Sequence, residues 1–165
     1  MVVCWTSKYV VNGVTKPALL SKPVLHDMQK VLETKFLLPP SHAVSSIARK
    51  MTVGSGFSNM KADEWATWLL VLSPYLLDGK LSPTQYKNWM LFVSTARILL
   101  SPSLSVVELD EAHSNLQKFL KSIVSDYDDK TLITANCHYA MHVKETILDY
   151  SSAPNHWLFN FKRYN

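Results

Sequence analysis

The sequence predicts an all-α protein: a bundle of about six helices behind a short irregular N-terminal segment. Three observations carry this reading. Apolar residues recur at helical spacing through most of the chain from Trp65 onward. Two helix-start sequences, Ser82-Pro83-Thr84-Gln85 and Ser105-Val106-Val107-Glu108, stand directly before such stripes. Strand signals are confined to the first residues, where Val10-Val11-Asn12-Gly13-Val14 contains an Asn-Gly turn.

Each element has a local cause. Ser21-Lys22-Pro23 reads as an N-cap with proline just inside, opening a helix to about Phe36 that Pro39-Pro40 stops. Residues 41–60 show little periodicity and read as a loop with one helical turn near Ile47. Trp65, Trp68, Leu69, Leu72 and Leu76 then mark one helix. The helix after Ser82 puts Trp89, Phe92, Val93, Ala96 and Leu100 on one stripe. The helix after Ser105 turns Leu109, Ala112, Leu116, Phe119, Leu120, Ile123 and Val124 inward. Asp126 to Lys130 is a polar break, and a last helix spans about Asn136 to Tyr150.

Composition narrows the function classes. The 165 residues are 47% apolar and only 18% charged, which excludes a disordered chain. Seventeen basic against thirteen acidic residues give a net charge of +4, permitting contact with nucleic acid without demanding it. Cys4 and Cys137 are too few for a disulfide framework. No uninterrupted apolar run exceeds the five residues of Trp68–Leu72, against the ~20 of a membrane helix. No charged segment precedes an apolar stretch at the start, as a secretory signal would require. The expectation is an intracellular protein in a reducing compartment, not secreted and without a membrane partner.

The richest chemistry lies in Asn136-Cys137-His138-Tyr139-Ala140-Met141-His142. Histidines at i and i+4 share a helix face, the spacing that lets two imidazoles hold one metal ion. On a continuous helix His138, His142, Glu145 and Asp149 fall within an arc of about 60°, with Tyr139, Ala140, Met141, Val143, Ile147 and Leu148 opposite. Two imidazoles and a carboxylate would suit zinc. The same spacing also fits the solvated face of an amphipathic helix. Cys137 points about 100° away from His138 and makes a poor co-ligand. Asp63 and Glu64 stand in a first helical turn, where capping explains them better than catalysis. Asp126, Asp128 and Asp129 suit a solvated loop better than a cation site. Arg49-Lys50 and Lys162-Arg163 are short basic pairs, each enough for a phosphate contact. No Gly-x-Ser-x-Gly elbow or phosphate loop is present.

The order of several segments resembles a known family. Gly56-Phe57-Ser58-Asn59-Met60-Lys61-Ala62-Asp63-Glu64-Trp65 resembles a Gly-Phe-x-x-x-Thr-Ala-Asp-Glu-Trp stretch, followed by Trp89-x-x-Phe92-Val93. Leu132-Ile133-Thr134-Ala135-Asn136-Cys137-His138 resembles Leu-x-Thr-Pro-Asn-Met-His. Ile147-Leu148-Asp149-Tyr150 precedes Trp157-Leu158-Phe159-Asn160-Phe161-Lys162-Arg163-Tyr164-Asn165. This order is similar to the C-terminal half of CACTA (En/Spm-like) transposases, closely over residues 36–165 and loosely before them.

The resemblance implies an RNase H-like core with two Asp and one Glu on divalent metal, and a helical insertion before the Glu. Residues 1–40 would be a loosely matching segment with the first helix, and 41–165 the transposase-derived helical domain, truncated at its C-terminal end, in one globular unit. Asp63, Glu64, Trp65, Trp89, Asn136, Trp157, Phe159, Phe161 and Asn165 fall on motif positions of structural kind. His138 and His142 would match two histidines of a paired-histidine zinc site, with Ala140 where many relatives carry a third. The family's catalytic Glu falls on Lys162, so a metal-binding acid is replaced by an ammonium. The two Asp would lie before Met1. A capping Thr falls on Lys61.

The expectation is a transposon-derived protein without catalytic acids. What remains is binding: DNA, which would place it in the nucleus, or another transposase copy, with homo-oligomers formed through exposed apolar surface. Two alternatives stand beside it. One is a small metal-dependent nuclease using the His138, His142, Glu145 and Asp149 face. The other is a protein-interaction module with the Trp65/Trp68 stripe partly exposed.

Overall fold

A computed structural model describes residues 8–11, 13–34, 60–127 and 132–151. They are mostly helical, with a single two-stranded sheet among them. Pro39-Pro40, the loop and turn expected before residue 60, Asp128–Lys130 and everything after Ser151 lie outside the described residues. The chain divides into two compact units, Met1–Tyr86 and Lys87–Asn165.

The first unit opens with β1 (Tyr9–Val11) and β2 (Val14–Lys16). They pair antiparallel, with Val11 opposite Val14 across a two-residue loop. Gly13 sits in that loop at φ 78°, where a residue without Cβ carries no steric penalty. The helix α1 (Lys22–Thr34) begins as read, with the Leu25 amide bonded to the Ser21 carbonyl, and buries Leu25, Met28 and Leu32.

The stripe from Trp65 to Leu76 is not one regular helix. It runs as α2 (Ala62–Thr67), a π-helical turn (Trp68–Leu72) and α3 (Ser73–Leu76). Pro74 explains the widening. Its ring cannot follow a regular α-turn without striking the carbonyl four residues back, and it donates no N–H. Ser73 Oγ donates instead to the Leu69 carbonyl at 3.0 Å. The apolar face survives, since Trp68, Leu72, Leu76 and Leu77 are all buried. Glu64 closes the start of α2 by accepting the Lys61 amide at 2.6 Å. That supplies one half of a capping box where Lys61 offers no hydroxyl. Tyr86 Oη donates to the Pro74 carbonyl at 2.7 Å.

The second unit is built on two long helices, α4 (Pro83–Leu99, whose first turn belongs to the first unit) and α5 (Val106–Tyr127). Both start at the capping boxes read from the sequence. Gln85 N–H donates to Ser82 Oγ at 3.3 Å, and Glu108 N–H to Ser105 Oγ at 3.3 Å. In return the Ser82 and Ser105 amides donate to the Gln85 and Glu108 side chains. Trp89, Phe92 and Phe119 form an aromatic cluster, with Phe92 stacked on Phe119 at 4.9 Å. Leu109, Ala112, Leu116, Ile123 and Tyr127 complete the buried face of α5. One polar side chain joins the two helices. Thr95 Oγ1 donates to the Leu91 carbonyl at 2.8 Å and reaches the Ala112 carbonyl of α5 at 3.3 Å.

The expected last helix is two. α6 (Ala135–Met141) and α7 (Val143–Tyr150) are separated at His142, whose φ of −94° and ψ of 7° are not helical. The His142 amide bonds the Tyr139 carbonyl three residues back, and α7 restarts from the His142 carbonyl through the Thr146 amide. Both pieces touch α5. α7 ends at Ser151, which takes φ 78°, the left-handed conformation usually filled by glycine.

Candidate functional site: the α5–α7 face and the histidine pair

The break at His142 decides what the histidine segment can do. The 60° arc counted for His138, His142, Glu145 and Asp149 assumes an unbroken helix. The rings of His138 and His142 do come together, with centroids 5.0 Å apart and planes at 75°. Glu145 Oε2 lies 4.0 Å from His142 Nδ1, in a pair well exposed on both sides. Asp149 lies two turns further along α7. Among the described residues no three His, Cys, Asp or Glu side chains are grouped to hold a metal ion. Cys137 is engaged elsewhere, with Thr134 Oγ1 at 3.7 Å and the Leu132 carbonyl at 3.8 Å from its Sγ.

The opposite side of the segment also differs from expectation. Of the six residues assigned to the docked face, Ile147 is buried. Tyr139 and Leu148 are exposed by more than half, because α6 and α7 no longer share one continuous face. Ala140, Met141 and Val143 are half-buried, and an ion pair between Lys144 Nζ and Asp110 also ties α7 to α5.

Where α7 ends against the start of α5, a groove of about 290 Å³ opens within the second unit. Pro102, Leu104, Val106 and Leu109 form one wall, Ile147 and Leu148 the other, with Ser105 and Ser151 at the ends. Two of its apolar lining residues are largely exposed, Val106 by 62% and Leu148 by 57%. None of the lining residues is a cation. The lining residue Ser105 is bonded to Glu108, whose carboxylate accepts from both Ser105 Oγ (2.6 Å) and the Ser105 amide (2.8 Å). Those two donors, the hydroxyl first, hold its carboxyl below the ordinary carboxylate pKa.

The remaining predicted residues fall into three groups. Asp63 and Glu64 lie in the first turn of α2, Glu64 as its cap. Trp65 is half-buried and Trp68 is fully buried, so of the Trp65/Trp68 stripe expected to be partly exposed only Trp65 reaches the surface. Trp89 is core, and Asn136 is exposed in the first turn of α6. Asp126, read as part of a solvated break, is the last turn of α5 and accepts from Asn88 Nδ2 at 2.8 Å. Arg49, Lys50, Trp157, Phe159, Phe161, Lys162, Arg163 and Asn165 lie outside the described residues. Sequence reasoning missed the groove. Its only trace was the pair Val106-Val107, bracketed by Ser105 and Glu108, where a solvated helix start would carry polar residues.

A comparison with family models, with curated proteins and with solved structures finds no match. Among the described residues no helix is long and apolar enough to cross a membrane.

Proposed function

We propose that this chain is a transposase-derived helical module, without nuclease or strand-transfer activity, whose role is to bind a protein partner. The order of CACTA-like motifs supports the origin, and Lys162 at the family's acid position supports the loss of catalysis. The observation that carries the binding role is the groove between α5 and α7, lined in part by exposed Val106 and Leu148. A side chain such as Leu148 in water forgoes about 1.5–3 kcal/mol of burial, which a partner recovers on docking. Scattered exposed apolar residues are ordinary, but exposed apolar residues lining one concavity mark an interaction site. Among the described residues the metal-nuclease alternative has the His138–His142 pair with Glu145 nearby.

Two measurements on the full chain test the proposal. Supercoiled plasmid with Mg²⁺ or Mn²⁺ is expected to remain uncut by the wild type and by Lys162→Glu; nicking by either overturns the loss of catalysis. Fluorescein-labelled apolar octapeptides are expected to raise anisotropy with the wild type and not with Leu148→Asp. Equal binding to both proteins, or binding to neither, removes the protein-binding role.

A further inference from the structure

Ser105, Ser125 and Thr146 each have a carboxylate three residues on, at Glu108, Asp128 and Asp149. The fold separates them. Ser125 and Thr146 lie inside α5 and α7 and donate to their own helix backbone, Ser125 Oγ to the Ser122 carbonyl at 3.0 Å and Thr146 Oγ1 to the His142 carbonyl at 2.9 Å. Ser105 stands ahead of α5, exposed, and its Oγ donates to the Glu108 side chain, which can swing away. Glu108 and Glu111 are exposed beyond it, with Asp110 between them paired to Lys144. From Ile98 to Gln117 the chain carries no Lys or Arg. Phosphoryl transfer needs an acceptor oxygen open to in-line attack and flanking chain that an enzyme cleft can reach. Of the three hydroxyls, only that of Ser105 is outside a helix.

We propose that Ser105 is a phosphorylation site for a Ser/Thr protein kinase whose basic cleft reads the acids that follow the serine. The site does not depend on the protein-binding role above. The Ser105 oxygen attacks the γ-phosphorus of ATP held by the kinase. The new O–P bond forms as the bond from that phosphorus to the bridging oxygen breaks, ADP leaves, and the hydroxyl proton passes to the kinase's catalytic carboxylate. The product has a local consequence. Ser105 Oγ no longer donates to Glu108, and a phosphate of about −1.5 to −2 charge repels that carboxylate. The phosphate oxygens take over the Glu108 N–H at the start of α5, where the helix dipole favours them. The Ser105 amide loses the carboxylate it now donates to. Ser105 also lines the α5–α7 groove, so the modification adds charge there.

The test is incubation of the full-length protein with casein kinase II, Mg²⁺ and ATP, with sites mapped by mass spectrometry. Phosphoserine is expected at Ser105 and to be lost in Ser105→Ala. Glu108→Gln keeps the capping box, since glutamine serves there as well, and removes only the charge. It is expected to slow incorporation about tenfold, and Glu108→Asp, which restores the charge, to recover it to within about threefold of wild type. In the phosphoprotein, exchange protection of the Ser105 amide is expected to fall while that of the Glu108 amide persists.

Incorporation at Ser125 or Thr146 instead of Ser105, or an unchanged rate in Glu108→Gln, overturns the proposal. So does modification of a peptide spanning 101–112 without modification of the folded protein, because the kinase is then active and the fold withholds the serine. Unchanged protection of the Ser105 amide in the phosphoprotein overturns the exchange of one cap for the other.

Discussion

Two helix pairs in the second unit use similar amounts of apolar sequence to different ends. α4 and α5 turn theirs inward: Trp89, Phe92 and Phe119 interlock, Thr95 bridges the helices, and five further residues of α5 are buried. α6 and α7 bury Ile147 and leave Tyr139, Leu148 and Tyr150 in solvent. The first pair is long and capped at both starts by a reciprocal Ser–Gln or Ser–Glu box. The second is short, broken at His142 and joined to α5 by the buried Ile147 and a partly exposed Lys144–Asp110 ion pair. A pair of helices that spends its apolar residues on a core stabilises the fold, whereas one that leaves them out keeps free energy available for association.

Stability measurements can break this contrast. Phe119→Ala removes a ring stacked at 4.9 Å on Phe92 and is expected to cost about 3–5 kcal/mol in urea unfolding. Ile147→Ala, the buried anchor of α7, is expected to cost about 2 kcal/mol, the low end for a buried aliphatic truncation. Equal losses at the two positions would mean that α7 is as much a part of the core as α5.

Thr95→Val tests the polar link between α4 and α5. The variant keeps the shape and loses the bonds to the Leu91 and Ala112 carbonyls, for an expected loss of about 1 kcal/mol. An unchanged unfolding midpoint would leave shape alone joining the two helices.

The cap at the start of α5 makes a smaller contribution with a defined pH dependence. The folded pKa of Glu108 is lowered by Ser105. Its stabilisation is therefore fully present above the ordinary carboxylate pKa and is lost as pH falls through the lowered folded value. Protection of the Ser105 and Glu108 amides, taken relative to intrinsic exchange at each pH, should fall across that acid window, and Glu108→Gln should remove the dependence. Persistence of the pH effect in that variant would assign it to another carboxylate.

The smallest effects belong to the exposed face. Leu148→Ala and Val107→Ala are expected to change stability by less than about 0.5 kcal/mol, in line with their exposure. A loss above 1 kcal/mol would place them in packing rather than at a docking surface. Zinc at a tenfold excess is expected to leave Tm unchanged, since the paired imidazoles have no third donor grouped with them among the described residues. A rise abolished by His138→Ala would establish a metal site.

Much of the fold was legible because its signals are local. The Asn-Gly turn, the proline at the start of α1, both capping boxes and the inward stripe of α5 depend on residues within a few positions of one another. The candidate site was legible only in part. The i, i+4 spacing of His138 and His142 does bring the rings together. Extending that count to Asp149 fails, because a φ of −94° and a ψ of 7° at His142 end the regular 100° rotation per residue. Nothing in the local sequence marks that residue as a break.

The sequence by itself determined where α1, α4 and α5 begin and which faces of them are apolar. These follow from hydrogen-bonding groups and periodicities that act within one or two turns. Only the tertiary structure decided which apolar residues are covered. Val107 and Leu148 are as apolar as Leu109 and Ile147, and periodicity cannot say which will find a partner. Burial depends on what another element brings to the same place. At the α5–α7 face the described residues leave a groove where a uniform bundle was expected.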